Sequence, residues 1–194
     1  MGSVKESVQI EAPAERVWAV VSEDFKNATR WTSGLDKAEV LTDGPIGKGT
    51  RLRYTIRTPA GAQAMEVEHD VYDKPTVTSG RIIKGPVKGT WKYTYSEKGG
   101  VTTLTYSMGY EAASFLMRPF MGVIDRQLPA DVKKTLLALK KYVESGKGPQ
   151  IAGSKHAAAK PAAAKPAGPK PAAARAKAAA KANPAKANQA RAKK

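Results

Sequence analysis

Six short segments with alternating apolar residues follow one another between residues 37 and 110, and the stretches between them are built from turn residues. The segments lie near Lys37–Leu41, Thr50–Arg57, Gln63–Tyr72, Thr76–Ile83, Val87–Ser96 and Val101–Tyr110. Their connectors carry Asp43-Gly44-Pro45, Pro59-Ala60-Gly61, Lys74-Pro75, Gly85-Pro86 and Gly99-Gly100. A seventh strand precedes them. From Val4 to Ala12, Val8, Ile10 and Ala12 share one face, while Ser7, Gln9 and Glu11 share the other. A chain with this pattern must build a sheet with one apolar face and then cover it.

Two regions are available as cover. Pro13 opens a short helix, in the position Pro prefers, with Val17, Val20 and Val21 as its apolar stripe and Trp18 beside them. A second short helical segment runs from about Phe25 to Trp31. The longer region spans about Ser114 to Glu144, with Val132, Leu136, Leu139 and Val143 at core spacing. Phe120, Ile124 and Leu128 precede them at the same spacing. Pro129 cannot donate to the carbonyl of Asp125, which predicts a kink or a break there, and Arg118-Pro119 suits an earlier start.

Two hairpins can be placed in register from the pattern. A loop at Pro59–Ala62 sets Ile56 opposite Met65, Tyr54 opposite Val67 and Leu52 opposite His69. On the other face Arg53 then meets Glu68 and Arg51 meets Asp70. A turn at Glu97–Gly100 sets Trp91 opposite Tyr106 and Tyr93 opposite Leu104. A slip of one residue would lose both the apolar and the charge matches.

Charge divides the chain. The net charge is +16, yet the last acid is Glu144, and residues 147–194 hold twelve Lys or Arg with no Asp or Glu. Residues 1–146 form the expected folded domain, with a net charge of only +4. Residues 147–194 are too poor in apolar surface to build a core and read as a disordered basic tail. There is no Cys, which excludes a disulfide framework and a thiolate metal site. The N-terminus lacks an apolar secretory core, and no apolar run reaches the roughly 18 residues of a membrane helix. The expected location is therefore the cytoplasm, with association to a nucleoid if the tail engages DNA. Nothing here sets an oligomeric state.

The opening Ser7-Val8-Gln9-Ile10-Glu11-Ala12-Pro13-Ala14-Glu15-Arg16-Val17-Trp18 resembles the start of the polyketide cyclase/dehydrase and lipid-transport family. That family belongs to the superfamily of START domains and birch-pollen-allergen-like proteins. Trp31, Gly47-Lys48-Gly49-Thr50 and Leu139-Lys140-Lys141-Tyr142-Val143-Glu144 extend the resemblance, which covers about residues 3–145. It implies the α+β helix-grip fold: a curved seven-stranded antiparallel sheet around a long C-terminal helix, with two short helices after the first strand. It also implies a cavity between sheet and C-terminal helix. It carries over no catalytic residue, because such folds host carriers, cyclases, hydrolases and regulators.

The usual catalytic signatures are missing: no Gly-rich phosphate loop, no nucleophile elbow and no His-rich metal spacing, so no cofactor or metal is expected. His69 alternates with Met65, Val67 and Val71 and should face inward, where it could act as general acid or base. A hydrogen-bonded core His is the preferred reading, since no inward carboxylate is visible in the pattern to orient the ring. Tyr54, Trp91, Tyr93 and Tyr106 fall on the same face and suit an aromatic or polyketide-like ligand as well as they suit packing. Trp31 fits the cavity mouth or an anchor for the second helix. Met117, Phe120 and Met121 fit a soft gate or ordinary helix core. Arg51, Arg53 and Arg57 alternate outward and read as a charge-paired surface.

The tail repeats Ala-Ala-Ala-Lys-Pro and is similar to the Lys/Ala/Pro tails of linker histones and some bacterial nucleoid proteins. Lys160, Lys165, Lys170, Arg175, Lys177, Lys181, Lys186 and Arg191 are its candidate phosphate contacts. It has no aromatics to stack on bases, and an anionic membrane or no partner at all are the competing readings. The domain is thus expected to carry or sense a small apolar or aromatic ligand, lipid or polyketide-like. The alternative is a cyclase or dehydratase with His69 and a cavity Tyr as acid and base.

Overall fold

The computed structural model describes residues 1–58 and 61–150; the tail cations named above all lie outside the described residues. Seven strands form one antiparallel sheet: β1 (Gly2–Ile10), β2 (Leu35–Val40), β3 (Arg51–Thr58), β4 (Gly61–Asp73), β5 (Val77–Lys84), β6 (Val87–Lys98) and β7 (Val101–Ala112). Their spatial order is β1-β7-β6-β5-β4-β3-β2, so β1 alone leaves the sequential meander and pairs with β7. The long helix, α2, runs from Met121 to Glu144. A curled antiparallel sheet carrying a long C-terminal helix is the helix-grip fold, as the family resemblance implied.

Alternation along the strands sorts the two faces. Ile10, Leu52, Val67 and Leu104 are buried on the inner face, and Trp18 and Leu139 close over them. The outer face is charged and paired: Arg53 with Glu66 at 2.9 Å, Arg51 with Glu68 at 2.8 Å, Arg57 with Asp36 at 2.7 Å and Arg81 with Asp70 at 2.7 Å.

Both hairpin registers differ from those expected, each by two residues. In β3–β4 Tyr54 faces Met65, Leu52 faces Val67, Arg53 faces Glu66 and Arg51 faces Glu68. In β6–β7 Trp91 faces Met108, Tyr93 faces Tyr106 and Tyr95 faces Leu104. The pairs nearest the loops are Thr58–Gly61 and Lys98–Val101, which leaves two-residue connections in place of the expected four. Gly99 and Gly100 have φ of 60° and 78°, the double positive φ of a type I′ turn, which matches the twist of the flanking strands. A two-residue slip keeps every side chain on its face, so the face assignments stand while the partners change.

The first covering segment is three short turns in succession: α1 (Ala14–Trp18), a π turn (Ala19–Glu23) and a 3-10 turn (Phe25–Arg30). Pro13 is the cap that precedes α1, not its first helical residue; its carbonyl accepts from Arg16 and Val17 N–H. Trp18 pins this segment to the sheet through edge contact with Tyr72 at 5.0 Å and a tilted contact with Tyr95 at 5.1 Å. The helical region at the C-terminal end begins with a 3-10 turn (Phe115–Phe120) containing Pro119, and α2 then continues through Pro129 without the break expected there.

The second half of α2 buries Val132, Leu136, Leu139, Tyr142 and Val143. Its end is tied to β1 by Lys140 Nζ donating to the Gln9 carbonyl (2.7 Å) and by the Glu144 carboxylate accepting from Glu11 N–H (2.8 Å). The chain stays packed beyond the helix: buried Arg16 donates from Nη2 to the Lys147 carbonyl at 2.6 Å.

Candidate functional site

A cavity of about 180 Å3 lies between the inner face of the sheet and the short covering segment. The sheet contributes Tyr54 from β3, His69 from β4, Trp91 and Tyr93 from β6, and Tyr106 from β7, with Met65 and Val67 beside them. The opposite wall is Val21 and Ser22 of the π turn, Phe25 and Ala28 of the 3-10 turn, and Trp31 to Ser33 after it. Period-2 alternation thus brought five expected residues together, Tyr54, His69, Trp91, Tyr93 and Tyr106, and Trp31 joins them from the opposite wall.

Phe120 stands apart. It caps α2 where the 3-10 turn gives way to the helix, and it is 57% exposed. No residue of α2 is among the cavity lining, so the cavity is walled by the short turns, not by the long helix as expected. Phe25, Val21 and Ser22 were missed because one-turn helices of mixed type have no 3.6-residue repeat to read. A π turn is itself frequent at functional sites. The cavity is also smaller than the roughly 300–1,000 Å3 common for ligand sites.

The rings form a connected series. Phe25 and His69 are 6.1 Å apart between centroids, His69 and Trp91 5.3 Å, Trp91 and Tyr93 6.2 Å, and Tyr93 and Tyr106 4.7 Å. Tyr72 stacks on the other side of His69 at 5.4 Å. Gly80 makes this approach possible: it pairs with both His69 and Trp91, and a Cβ there would come within 2.1 Å of the Glu68 carbonyl oxygen and 2.9 Å of the Trp91 ring.

His69 is 2% exposed, and burial holds its pKa below the ordinary 6.5. A hydrogen bond to the Gly47 backbone and the charge of Asp70 oppose that shift without overcoming it. The Gly47–Thr50 loop therefore does more than enter a strand. It is fastened to β4 by Gly49 N–H to the His69 carbonyl (2.8 Å) and His69 N–H to the Thr50 carbonyl (3.0 Å). Burial raises the hydroxyls of Tyr54, Tyr93 and Tyr106, so they stay protonated and act as donors. The lining contains no Asp, Glu, Lys or Arg. Among the described residues no cluster of three acidic, His or Cys side chains could hold a metal ion, and no helix is long and apolar enough to cross a membrane.

Polar side chains in the cavity are unevenly satisfied. Ser22 Oγ and Tyr95 OH share a bond of 2.8 Å, and Tyr72 OH donates to the Ser22 carbonyl at 2.9 Å. Trp31 Nε1, Trp91 Nε1 and His69 Nδ1 are buried without a partner. Buried polar atoms are rarely left so.

Residues 1–144 match the sequence family described as polyketide cyclase/dehydrase and lipid transport. The chain belongs to that family. Solved structures of similar shape agree on the fold. A START superfamily protein from Mycobacterium smegmatis superposes with a TM-score of 0.63 at 17% identity, over 76% of this chain and 100% of its own. A protein from Thermus thermophilus gives 0.63 at 17% identity, over 74% and 98%. The Zhui aromatase/cyclase from Streptomyces sp. R1128 gives 0.55 at 20% identity, over 76% and 98%. No curated protein matches in sequence. As a family member the chain has a cavity whose neutral His and protonated Tyr hydroxyls can accept, donate and transfer protons, and whose rings can hold an apolar body.

Proposed function

We propose that the folded body binds a small apolar or aromatic ligand in this cavity, as a carrier or sensor. The observation that carries the reading is the convergence of five aromatic or imidazole side chains from four strands on one uncharged cavity. Trp31 and the π turn complete the enclosure. An environment-sensitive apolar dye titrated into the full-length protein is expected to saturate, and Trp91→Ala to weaken it. Unsaturable binding, or binding indifferent to Trp91→Ala, would refute the proposal.

A cyclase- or dehydratase-type reaction in the same cavity is the alternative, with His69 Nδ1 as base and a Tyr hydroxyl as acid. Its support is that His69 and three Tyr side chains line the same cavity and that His69 Nδ1 has no partner. His69→Gln should then bind ligand and lose turnover, whereas for a carrier it leaves binding and transfer in place.

The tail adds a second proposal, carried by its twelve bases without an acid. It binds polyanions, with nucleic acid favoured over membrane because Ala is the main apolar residue it offers for insertion. Pro161, Pro166, Pro169 and Pro171 bar a long helix in its first half, while 172–182 is Ala- and Lys-rich enough to become helical on neutralisation. Affinity for duplex DNA should fall with salt at a log–log slope near −0.9 per phosphate neutralised. A truncation after Gln150 keeps the Arg16–Lys147 bond. Equal DNA affinity with and without the tail would place binding elsewhere.

A further inference from the structure

Exposed hydrophobic side chains are concentrated at one place on the folded body. Phe115 is 77% exposed, Leu116 79%, Phe120 57% and Val123 61%. All four belong to the 3-10 turn Phe115–Phe120 and the start of α2. No residue of that turn is buried, so its apolar side chains add little to the packing of the body. A single exposed apolar residue is ordinary, whereas a contiguous run marks a surface that something covers.

Charge marks the same surface. The Arg118 guanidinium lies over the Phe115 ring, 5.5 Å from its centroid. Beyond the turn, Val123, Arg126, Ala130, Lys134, Leu137 and Lys141 are spaced as one face of α2, and all six are exposed. That face holds three cations and no acid. The acids of the helix are placed elsewhere. Asp125 accepts from Tyr110 OH at 2.7 Å, towards the sheet. Glu144, at the other end of the helix, is taken up by Lys140 and by Glu11 N–H. Asp131 and Lys133 flank the face at about 80° on either side and offset each other.

The occupant must therefore take Phe and Leu side chains into an apolar layer and meet Arg and Lys with negative charge. A second copy of this chain would set like charges against each other. A nucleic acid would meet the cations but offer Leu116 and Val123 nothing apolar to enter. An anionic lipid surface supplies both, with acyl chains beneath a layer of phosphates.

We infer that the Phe115–Phe120 turn and the cationic face of α2 dock on an anionic membrane surface, with Phe115 and Leu116 inserted and Arg118, Arg126 and Lys134 at the headgroups. The docking is peripheral, since no helix among the described residues is long and apolar enough to cross a bilayer. The surface is separate from the cavity, whose lining includes none of these residues, and it does not depend on what the tail binds.

The test is flotation of the full-length protein with vesicles of phosphatidylcholine, with and without added phosphatidylglycerol. The protein should float with the anionic vesicles and far less with the neutral ones. The double variant Phe115→Ser/Leu116→Ser should lower the anionic-vesicle partition by about tenfold or more. Arg126→Gln and Lys134→Gln should each lower it by about fivefold. The double variant should keep the parent's affinity for the apolar dye and for duplex DNA, which reports that it is folded and separates this face from cavity and tail. The chain has no Cys, so Leu116→Cys carries a single environment-sensitive fluorophore. Its emission should shift to the blue on anionic vesicles, while the same label at Lys98→Cys, at the far end of the β6–β7 hairpin, should not shift. Equal vesicle binding by the parent and the double variant would overturn the inference and leave the tail alone holding the vesicles. An unshifted Leu116 label, or a parent that does not float with anionic vesicles, would overturn it as well. A double variant that loses DNA affinity would assign the face to nucleic acid instead, and a dimer in sedimentation that the double variant abolishes would assign it to a second copy.

Discussion

Leu52 and Arg53 are neighbours in the chain and face opposite sides of the same sheet. Leu52 is 1% exposed and packs in the core, next to β4's Val67. Arg53 donates from both Nε (3.1 Å) and Nη2 (2.9 Å) to Glu66 Oε1 on the outer face, where the pair is half-buried. The outer face is crowded with ionic groups, and they find partners along β3, β4 and β5. The inner face has few polar atoms, yet His69 Nδ1 and Trp91 Nε1 are buried there without partners. A charged surface that satisfies itself asks for no ligand. An apolar surface that leaves an uncharged, ring-lined cavity under its cover does, and that contrast locates the site.

The contrast should show first in stability. Leu52→Ala removes a fully buried side chain from a packed face and should cost about 2–5 kcal/mol in urea or thermal unfolding. A loss under about 1 kcal/mol would mean that the inner face is loosely packed there. His69→Gln is intermediate. Losing the bond to Gly47 should cost about 1 kcal/mol near neutral pH, and the variant should change the pH dependence. In the unfolded chain the imidazole takes up a proton as pH falls through its ordinary 6.5, while the buried ring resists. The unfolded state therefore binds more protons below that value, and stability declines as the solution is acidified from pH 6.5. His69→Gln should flatten that decline; an unchanged slope between about pH 7.5 and about pH 5 would assign it to other groups. Arg53→Ala should have the smallest effect, about 1 kcal/mol or less and diminished by salt, because the Arg53 side chain is partly exposed and leaves Glu66 within reach of Lys84.

The same contrast explains what could be read from the residues alone. Facing was legible, because a period of two is visible in any strand that has one buried side. Register was not. Glu66, Glu68 and Asp70 repeat every second position, and so do Met65, Val67 and His69, so a two-residue slip matches as well as the true pairing. The deciding signal was the turn: Gly99-Gly100 suits a two-residue I′ connection, and that fixes Tyr93 against Tyr106. The far wall of the cavity left little trace. Ser22 and Phe25 sit on single turns of different helical type, and spacing says nothing about them. Phe120 failed for a related reason, since apolar spacing along a helix does not tell which helix end reaches the core.

The three tryptophans provide an internal control for the central claim. Trp18 Nε1 donates to Glu23 Oε1 at 3.1 Å and Trp18 is not among the cavity lining, whereas Trp31 and Trp91 line the cavity and their indole N–H groups have no partner. The most direct measurement follows the three indole N–H resonances by NMR during titration with the apolar dye. The Trp31 and Trp91 resonances should move saturably with one shared dissociation constant, and that of Trp18 should hold nearly still. Resonances that all stay in place, or a Trp18 shift as large as the other two, would contradict a ligand-binding cavity at this site.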